Sequence, residues 1–214
     1  MGKPKRIRCK TREEWLSKRN IGIGASESAA ILGLSPWKTA NDLWLEKTGN
    51  RMPKDLSDDP YIQKGVRLEP ALRELFRAVH PEFKIYHEPY DMWYQPGREW
   101  MFATLDGRIK AEDGKTGVLE IKTATPNGKN GWAEWQNKVP DKYYIQCTHQ
   151  CACLDADFVI LFGCLFNMES DFVVREYRFE REDLKADMDY LIQKEEAFWQ
   201  SVQNKTLPPM TLIL

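Results

Sequence analysis

The stretch Met101–Thr123, MFATLDGRIKAEDGKTGVLEIKT, reads as two β-strands joined by a short polar loop. Met101 to Ala111 is apolar and extended. Glu112-Asp113-Gly114-Lys115-Thr116-Gly117 is turn material. Val118 to Thr123 is a second, mostly apolar run. Strand alternation puts Glu120 and Lys122 on the face of Val118, and Leu119, Ile121 and Thr123 on the other. A carboxylate and an ammonium are thus held side by side by a strand whose far face can be buried. Pairing of the two strands brings Asp106 to them as a second carboxylate. Two carboxylates and a lysine suit a hard divalent cation together with a water or a phosphate.

Taken alone, an Asp, thirteen intervening residues and then Glu-Ile-Lys also describe three charges on a solvated sheet face. The rest of the chain has to decide. At 214 residues and 42% hydrophobic, it can bury one sizeable core, so a single domain over 1–214 is expected. Charged residues are 29% and balanced, with a formal net charge of −1. Binding to nucleic acid would therefore need positive charge concentrated in one place. No run of about 18 apolar residues predicts a membrane span. The start of the chain has no hydrophobic signal core. Five cysteines, an odd count, point to a reducing compartment and hence to the cytoplasm.

Along the chain, residues 1–12 carry Lys3, Lys5, Arg6, Arg8, Lys10 and Arg12 and read as a flexible basic tail. Thr11 and Glu14 mark a capped helix start. In RNIGIGASESAAILGLSPWKTANDLWLEKTG, Arg19 to Gly49, Ser26 can cap a helix Glu27–Leu32 that Gly33 ends. A glycine-broken approach to a capped helix suits an anion. Tyr61 to Val79 has helical period, with Leu68, Leu72, Leu75 and Phe76 as its stripe. Pro70 should start a new segment there or kink the helix, with Glu69 at the break. Phe83 to Tyr94 reads as a strand pairing with the one that holds Asp106.

Trp132 and Trp135 read as a packing cluster. Lys142 to Leu154 should be a helix with Tyr143, Gln146 and Gln150 on one face. Asp157 to Phe166 reads as a central strand, and Asp171 to Phe179 as one nearer an edge. A closing helix, Glu182 to Val202, buries Leu184, Met188, Leu191, Ile192 and Phe198. Cys147, His149, Cys151 and Cys153 do not converge as zinc ligands, because His149 points away from the face of Cys147 and Cys151.

The Asp…Glu-x-Lys pattern resembles the PD-(D/E)xK nuclease signature, with Leu105 where a Pro is usual. Residues 19–49 resemble the start of the YqaJ-type viral recombinase nucleases, the family of phage lambda exonuclease. Gly65-Val66-Arg67-Leu68-Glu69-Pro70 before a helix, Ala103-Thr104-Leu105-Asp106-Gly107, Leu119-Glu120-Ile121-Lys122-Thr123 and Tyr143-Tyr144-Ile145-Gln146 follow in the family's order. The likeness runs from residue 19 to about 165.

The resemblance implies an α/β fold, a restriction-endonuclease-like core with a central mixed, twisted β-sheet flanked by helices. It implies a Mg²⁺-dependent 5′-to-3′ deoxyribonuclease that works processively from the ends of linear duplex DNA. Such an enzyme releases mononucleotides and leaves 3′ single-stranded tails for a phage single-strand annealing protein. Glu69, Asp106, Glu120 and the Ile121 carbonyl would hold two Mg²⁺, which Mn²⁺ can replace. Asp106, Glu120, Lys122 and Gln146 would form the catalytic set. Arg19, Ser26, Thr104 and Tyr143 would contact DNA or its 5′-phosphate. A homotrimeric ring is implied as well. Two rivals are a non-catalytic DNA-end-binding module and an iron–sulfur nuclease of the CRISPR-associated type. The latter needs a spaced cysteine triplet near the C-terminus, where the sequence has only Cys164 beyond the Tyr/Gln helix.

Overall fold

The computed structural model describes residues 2–167, 169 and 171–208. Lys5–Ile7 form a short strand, β1, so this part of the basic N-terminus is not a free tail. Arg6 is paired to Asp91 at 2.9 Å, and Cys9 is buried beside Met92 and Phe102. Charge pairing and two apolar anchors override the composition. Thr11 accepts the Glu14 N–H and caps helix α1 (Arg12–Arg19), as the sequence predicts.

Strand β2 (Ile23–Gly24), a 3₁₀ turn (Ala25–Glu27) and a one-turn helix α2 (Ser28–Ile31) follow. Ser26 therefore lies within the 3₁₀ turn and caps nothing. The Glu27 carboxylate takes the Gly24 N–H at 2.9 Å instead, because a longer side chain can reach back across the tighter turn. Helix α3 (Ala40–Lys47) is capped reciprocally by Thr39 and Asp42. Helix α4 (Pro60–Val79) runs through Pro70 as one element, so Gly65–Pro70 lie inside a helix and not ahead of one. Burial of Leu72 and Phe76 on the next turn holds the helix past the N–H that Pro70 lacks.

The two long extended stretches each divide. Phe83–Tyr86 (β3) and Met92–Tyr94 (β4) are separate strands, as are Met101–Ala103 (β5) and Gly107–Ala111 (β6). Strand β7 (Thr116–Ala124), helix α5 (Gly128–Ala133), helix α6 (Asp141–Leu154), strand β8 (Phe158–Phe166), strand β9 (Phe172–Glu180) and helix α7 (Arg181–Asn204) complete the order.

Two sheets result. The larger has the order β3-β6-β7-β8-β9 and the smaller β1-β4-β5-β2. The larger is mixed: β7 and β8 run parallel through the α5–α6 crossover, and its other pairs are antiparallel. β8 is an interior strand and β9 lies at the edge, as expected, and β7 is the middle strand of the five. β3 does pair with β6, the strand that follows Asp106. The chain passes from the smaller sheet to the larger at Thr104-Leu105-Asp106, with Leu105 buried as the pivot.

Helices cover both faces. Leu119, Ile121, Ile160 and Phe162 pack against Leu72 and Phe76 of α4. Val118, Val159 and Leu161 pack with Cys147, Cys151 and Cys153 of α6 and Leu184 and Met188 of α7. The thiols are thus core filling. Trp135 is buried in that cluster, with Trp132 against it. Each fully buried aliphatic or aromatic side chain contributes about 1.5–3 kcal/mol. Alternation along β7 therefore does more than pattern the strand. It commits Leu119 and Ile121 to α4 and leaves Glu120 and Lys122 facing α6.

Gly22 sits where β2 meets β5. A Cβ there would lie 2.3 Å from the Trp100 carbonyl oxygen, which already accepts the Ile23 N–H at 2.6 Å. Only glycine permits this approach, and it brings the Arg19–Ser26 segment against the strand that leads to Asp106.

Candidate active site

β6 and β7 pair as far as Gly107 opposite Leu119. One step further, Asp106 stands across from Glu120, and its Oδ2 accepts the Ile121 N–H at 2.7 Å. Asp106 is fixed at its backbone too. Its carbonyl accepts from Arg73 Nε at 2.7 Å and from His87 Nδ1 at 3.1 Å.

Glu120 is 2% exposed and saturated with donors. Lys122 Nζ lies 2.5 Å and Gln146 Nε2 2.7 Å from its Oε1, while Gln150 Nε2 lies 2.5 Å from Oε2. The glutamines are one turn apart on α6, so the helix presents both to the strand. Glu69 comes from α4. A Cβ at Gly65, one turn earlier, would lie 3.2 Å from Thr123 Oγ1. That close approach of helix to strand sets Glu69 over the end of β6–β7, where Arg73 holds it.

Glu69, Thr104, Asp106, Glu120, Ile121, Lys122 and Gln146 line one cleft of about 350 Å³. Burial and the neighbouring carboxylates of Glu120 and Glu69 push the Asp106 carboxyl well above the ordinary range. Glu69 is raised by burial and by Glu120, with Arg73 opposing. Burial disfavours charge on Lys122, but Glu120 and Asp106 outweigh it and raise the ammonium's pKa. Three carboxyl groups thus crowd around two cations, and the raised pKa values of Asp106 and Glu69 show that the cleft favours further positive charge.

Its available donors are carboxylate and carbonyl oxygens, which match a hard divalent cation. Among the described residues, however, no three Asp, Glu, His or Cys side chains form a ready-made ligand set. Repulsion explains the arrangement. Each anion has turned to a donor of its own, Glu69 to Arg73 and Glu120 to Lys122 and the glutamines.

The four residues assigned to DNA are placed differently. Thr104 lines the cleft, and its Oγ1 accepts from Trp15 Nε1 at 2.8 Å. The Arg19 guanidinium lies 4.7 Å from the centre of the Trp15 ring and donates to Ser26 Oγ at 3.3 Å. Arg19, Ser26 and Thr104 are therefore neighbours through Trp15, just outside the carboxylate cluster. Tyr143 lines an adjacent cavity of about 190 Å³, with its ring 5.4 Å from Lys122 Nζ.

Sequence reasoning missed Arg73, His87 and Trp15, and it gave Gln150 a face but no role. Arg73 had a signal, since it follows Glu69 by four residues on a helix. His87 and Trp15 act through tertiary contacts with no local trace. The notion of an anion held at the N-terminus of the helix after Ser26 does not survive. That helix is one turn long, and the Gly24 N–H ahead of it is already bonded to Glu27.

Several known proteins share this fold. A solved alkaline exonuclease of Laribacter hongkongensis, LHK-Exo, superposes with a TM-score of 0.67 at 18% identity, covering 90% of this chain and 93% of that one. The same protein has been solved in complex with dAMP. A phage-related exonuclease of Haemophilus somnus 129PT superposes at 0.57 with 12% identity, over 86% and 96% of the two chains. These likenesses establish a shared fold.

In sequence, the protein YqaJ of Bacillus subtilis strain 168, described as uncharacterized, is 29% identical over 189 residues. That alignment takes in 88% of this chain but 56% of the relative, so the chain spans about half the length of this curated protein. Among the described residues no helix is long and apolar enough to cross a membrane. The YqaJ-like viral recombinase domain matches residues 14–157, a span that holds every residue of the cleft, and the chain belongs to that family.

Proposed function

We propose that the protein is a metal-dependent exodeoxyribonuclease that digests linear duplex DNA from its 5′ ends. One observation carries this reading. Glu120 is gripped by Lys122, Gln146 and Gln150 directly across a paired strand from Asp106, and all but Gln150 line one open cleft. A stabilising core has no need to bury a carboxylate beside two others.

Glu69, Asp106, Glu120 and the Ile121 carbonyl would hold Mg²⁺, and two ions would suit an in-line displacement. Bound there, the metal would polarise the scissile phosphate and lower the pKa of a water. The other roles belong to the chain. Lys122 is an ammonium whose pKa is raised, so it offsets charge on the phosphorane-like transition state and does not take a proton. Gln146 can release one amide hydrogen bond to orient the attacking water or the phosphate. Gln150 keeps Glu120 aimed while that happens. Tyr143 faces Lys122 from the side and would contact the adjoining strand.

Arg19, Ser26 and Thr104 would receive the terminal 5′-phosphate. A guanidinium and hydroxyls beside the carboxylates give an end-anchored phosphate its donors. Release of mononucleotides agrees with LHK-Exo having been solved with dAMP. The 3′ tail left behind would pass to a single-strand annealing protein. A net charge of −1 leaves little electrostatic grip on DNA away from the cleft. A closed homotrimer around the duplex would supply that grip topologically. Native mass spectrometry should then show a trimer at micromolar protein, and a monomer alone would exclude the ring.

The test of the activity is a duplex labelled separately at each 5′ and 3′ end, incubated with Mg²⁺ or with EDTA. Mononucleotides should leave the 5′ ends in Mg²⁺ only. Tight end binding without digestion would make the chain a binding module, and early loss of the 3′ label would reverse the polarity. Arg19→Ala should slow digestion of 5′-phosphorylated ends about tenfold or more, and that of 5′-hydroxyl ends much less. Equal slowing of both would remove Arg19 from phosphate recognition.

A further inference from the structure

Beside Arg19 lies a charged group that none of the roles above uses. Lys47, at the end of α3, has a side chain only 2% exposed. Its Nζ is 2.8 Å from Glu27 Oε2 and donates to the Arg19 carbonyl at 2.9 Å. Burying an ammonium is costly, and it persists only where its donors are matched. Here two of them go to the segment that carries Arg19 and Ser26.

Glu27 is the reason such a group is needed. Its Oε1 lies 4.0 Å from Arg19, close enough to compete with a phosphate for that guanidinium. Its Oε2 is held on the far side by Lys47 and by the Gly24 N–H at 2.9 Å. The competing carboxylate is thereby kept short of full contact. Arg19, Glu27 and Lys47 together carry one positive charge, whereas Arg19 and Glu27 alone would carry none.

We infer that Lys47 and Glu27 are the positioning pair of the phosphate pocket, Lys47 restraining Glu27 so that Arg19 stays available for a terminal phosphate monoester. This rests on the end-phosphate reading of Arg19 and Ser26. Without Lys47, Glu27 can swing onto Arg19, and the pocket becomes electrically neutral. The loss should therefore be specific to phosphorylated ends and should appear in KM. It should also be cured by removing the carboxylate, which damage to packing would not be.

The experiment compares steady-state digestion of 5′-phosphorylated and 5′-hydroxyl duplexes by the full chain and five variants. Lys47→Met should raise KM for phosphorylated ends on the order of tenfold, the scale of one partly screened charge a few ångströms away. kcat, and KM for hydroxyl ends, should stay near the parent values. Lys47→Arg should recover most of the loss. Glu27→Gln keeps an oxygen for Gly24 and Lys47 and turns an amide toward Arg19, so it should lower KM for phosphorylated ends. Glu27→Gln with Lys47→Met should restore the parent KM.

If Lys47→Met is too unstable to assay, Glu27→Gln alone decides. Unchanged or weaker preference for phosphate in that variant overturns the inference. So does a double variant no better than Lys47→Met, or an equal rise in KM for both ends. Arg19→Ala keeps the two claims apart. If it discriminates between the ends and the pair variants do not, only the positioning role fails. If it does not discriminate, the phosphate pocket and this inference fall together.

Discussion

Replacing Lys122 with Ala should lower turnover by about 10²–10³-fold or more while the chain still folds and binds duplex close to the parent's level. The ammonium lies 2.5 Å from Glu120 and is kept protonated by Glu120 and Asp106 together. In the proposed reaction it would supply a fixed positive charge where the phosphoryl group gains negative charge. Glu120 keeps two amide donors, Gln146 and Gln150, so the carboxylate is not stranded. The melting temperature should still fall at neutral pH, because an ammonium whose pKa is raised in the folded protein stabilises it there. Single-turnover digestion of end-labelled duplex, with filter binding in Ca²⁺ or EDTA, separates the two effects. Near-parent turnover in Lys122→Ala would show that the cleft is not where cleavage occurs.

Asp106→Asn should move activity and stability in opposite directions. A neutral amide is a poor ligand for a hard cation, so cleavage should be lost and Mg²⁺ should no longer raise the melting temperature. In EDTA at neutral pH the same variant should melt higher than the parent. The folded protein holds the Asp106 proton more tightly than the unfolded chain does, because burial, Glu120 and Glu69 all disfavour the charge. An acid raised in this way is harmless below its unfolded value of about 3.9. Stability is then lost as pH rises toward and through the folded value, at about 1.4 kcal/mol for each unit between the two. Asparagine carries no such penalty, and its carbonyl can still accept the Ile121 N–H. The gap in melting temperature should therefore be wide at pH 7–8 and close near pH 4. A variant that melts lower than the parent in EDTA at neutral pH would mean that Asp106 is structural.

The central half of the fold was legible because alternation and charge sit on the same strand. Val118, Glu120 and Lys122 had to share a face, and α6 offered Gln146 and Gln150 at helical spacing to meet it. The passage between sheets was missed. MFATLDGRIKA was read as one extended run, although Asp106-Gly107, a turn-type dipeptide, stands where one ladder ends and another begins. What breaks it is distant: β2 and β4 claim Met101–Ala103, while β3 and β7 claim Gly107–Ala111. The N-terminal strand was hidden for a related reason. Lys5, Arg6 and Ile7 look like a solvated tail until Trp93 and Asp91 arrive from elsewhere to pair with them. Ser26 was read as a cap from its neighbours alone, and the longer Glu27 side chain took that place.

The pivot between the sheets also fixes a gauge. Thr104 is tied toward Arg19 through Trp15, and Asp106 is clamped by Arg73, His87 and the Ile121 N–H. Two residues of extended chain span at most about 7 Å. Of the residues that would grip an end, Thr104 is thus machined on the same short bar as the blade that would cut. Thermal play in that segment shifts Thr104 and Asp106 together, whereas Arg19 and Ser26 ride on α1 and the 3₁₀ turn. The spacing from Thr104 to the cutting carboxylate would then change on adding or deleting a residue between them, while the reach of Arg19 follows α1.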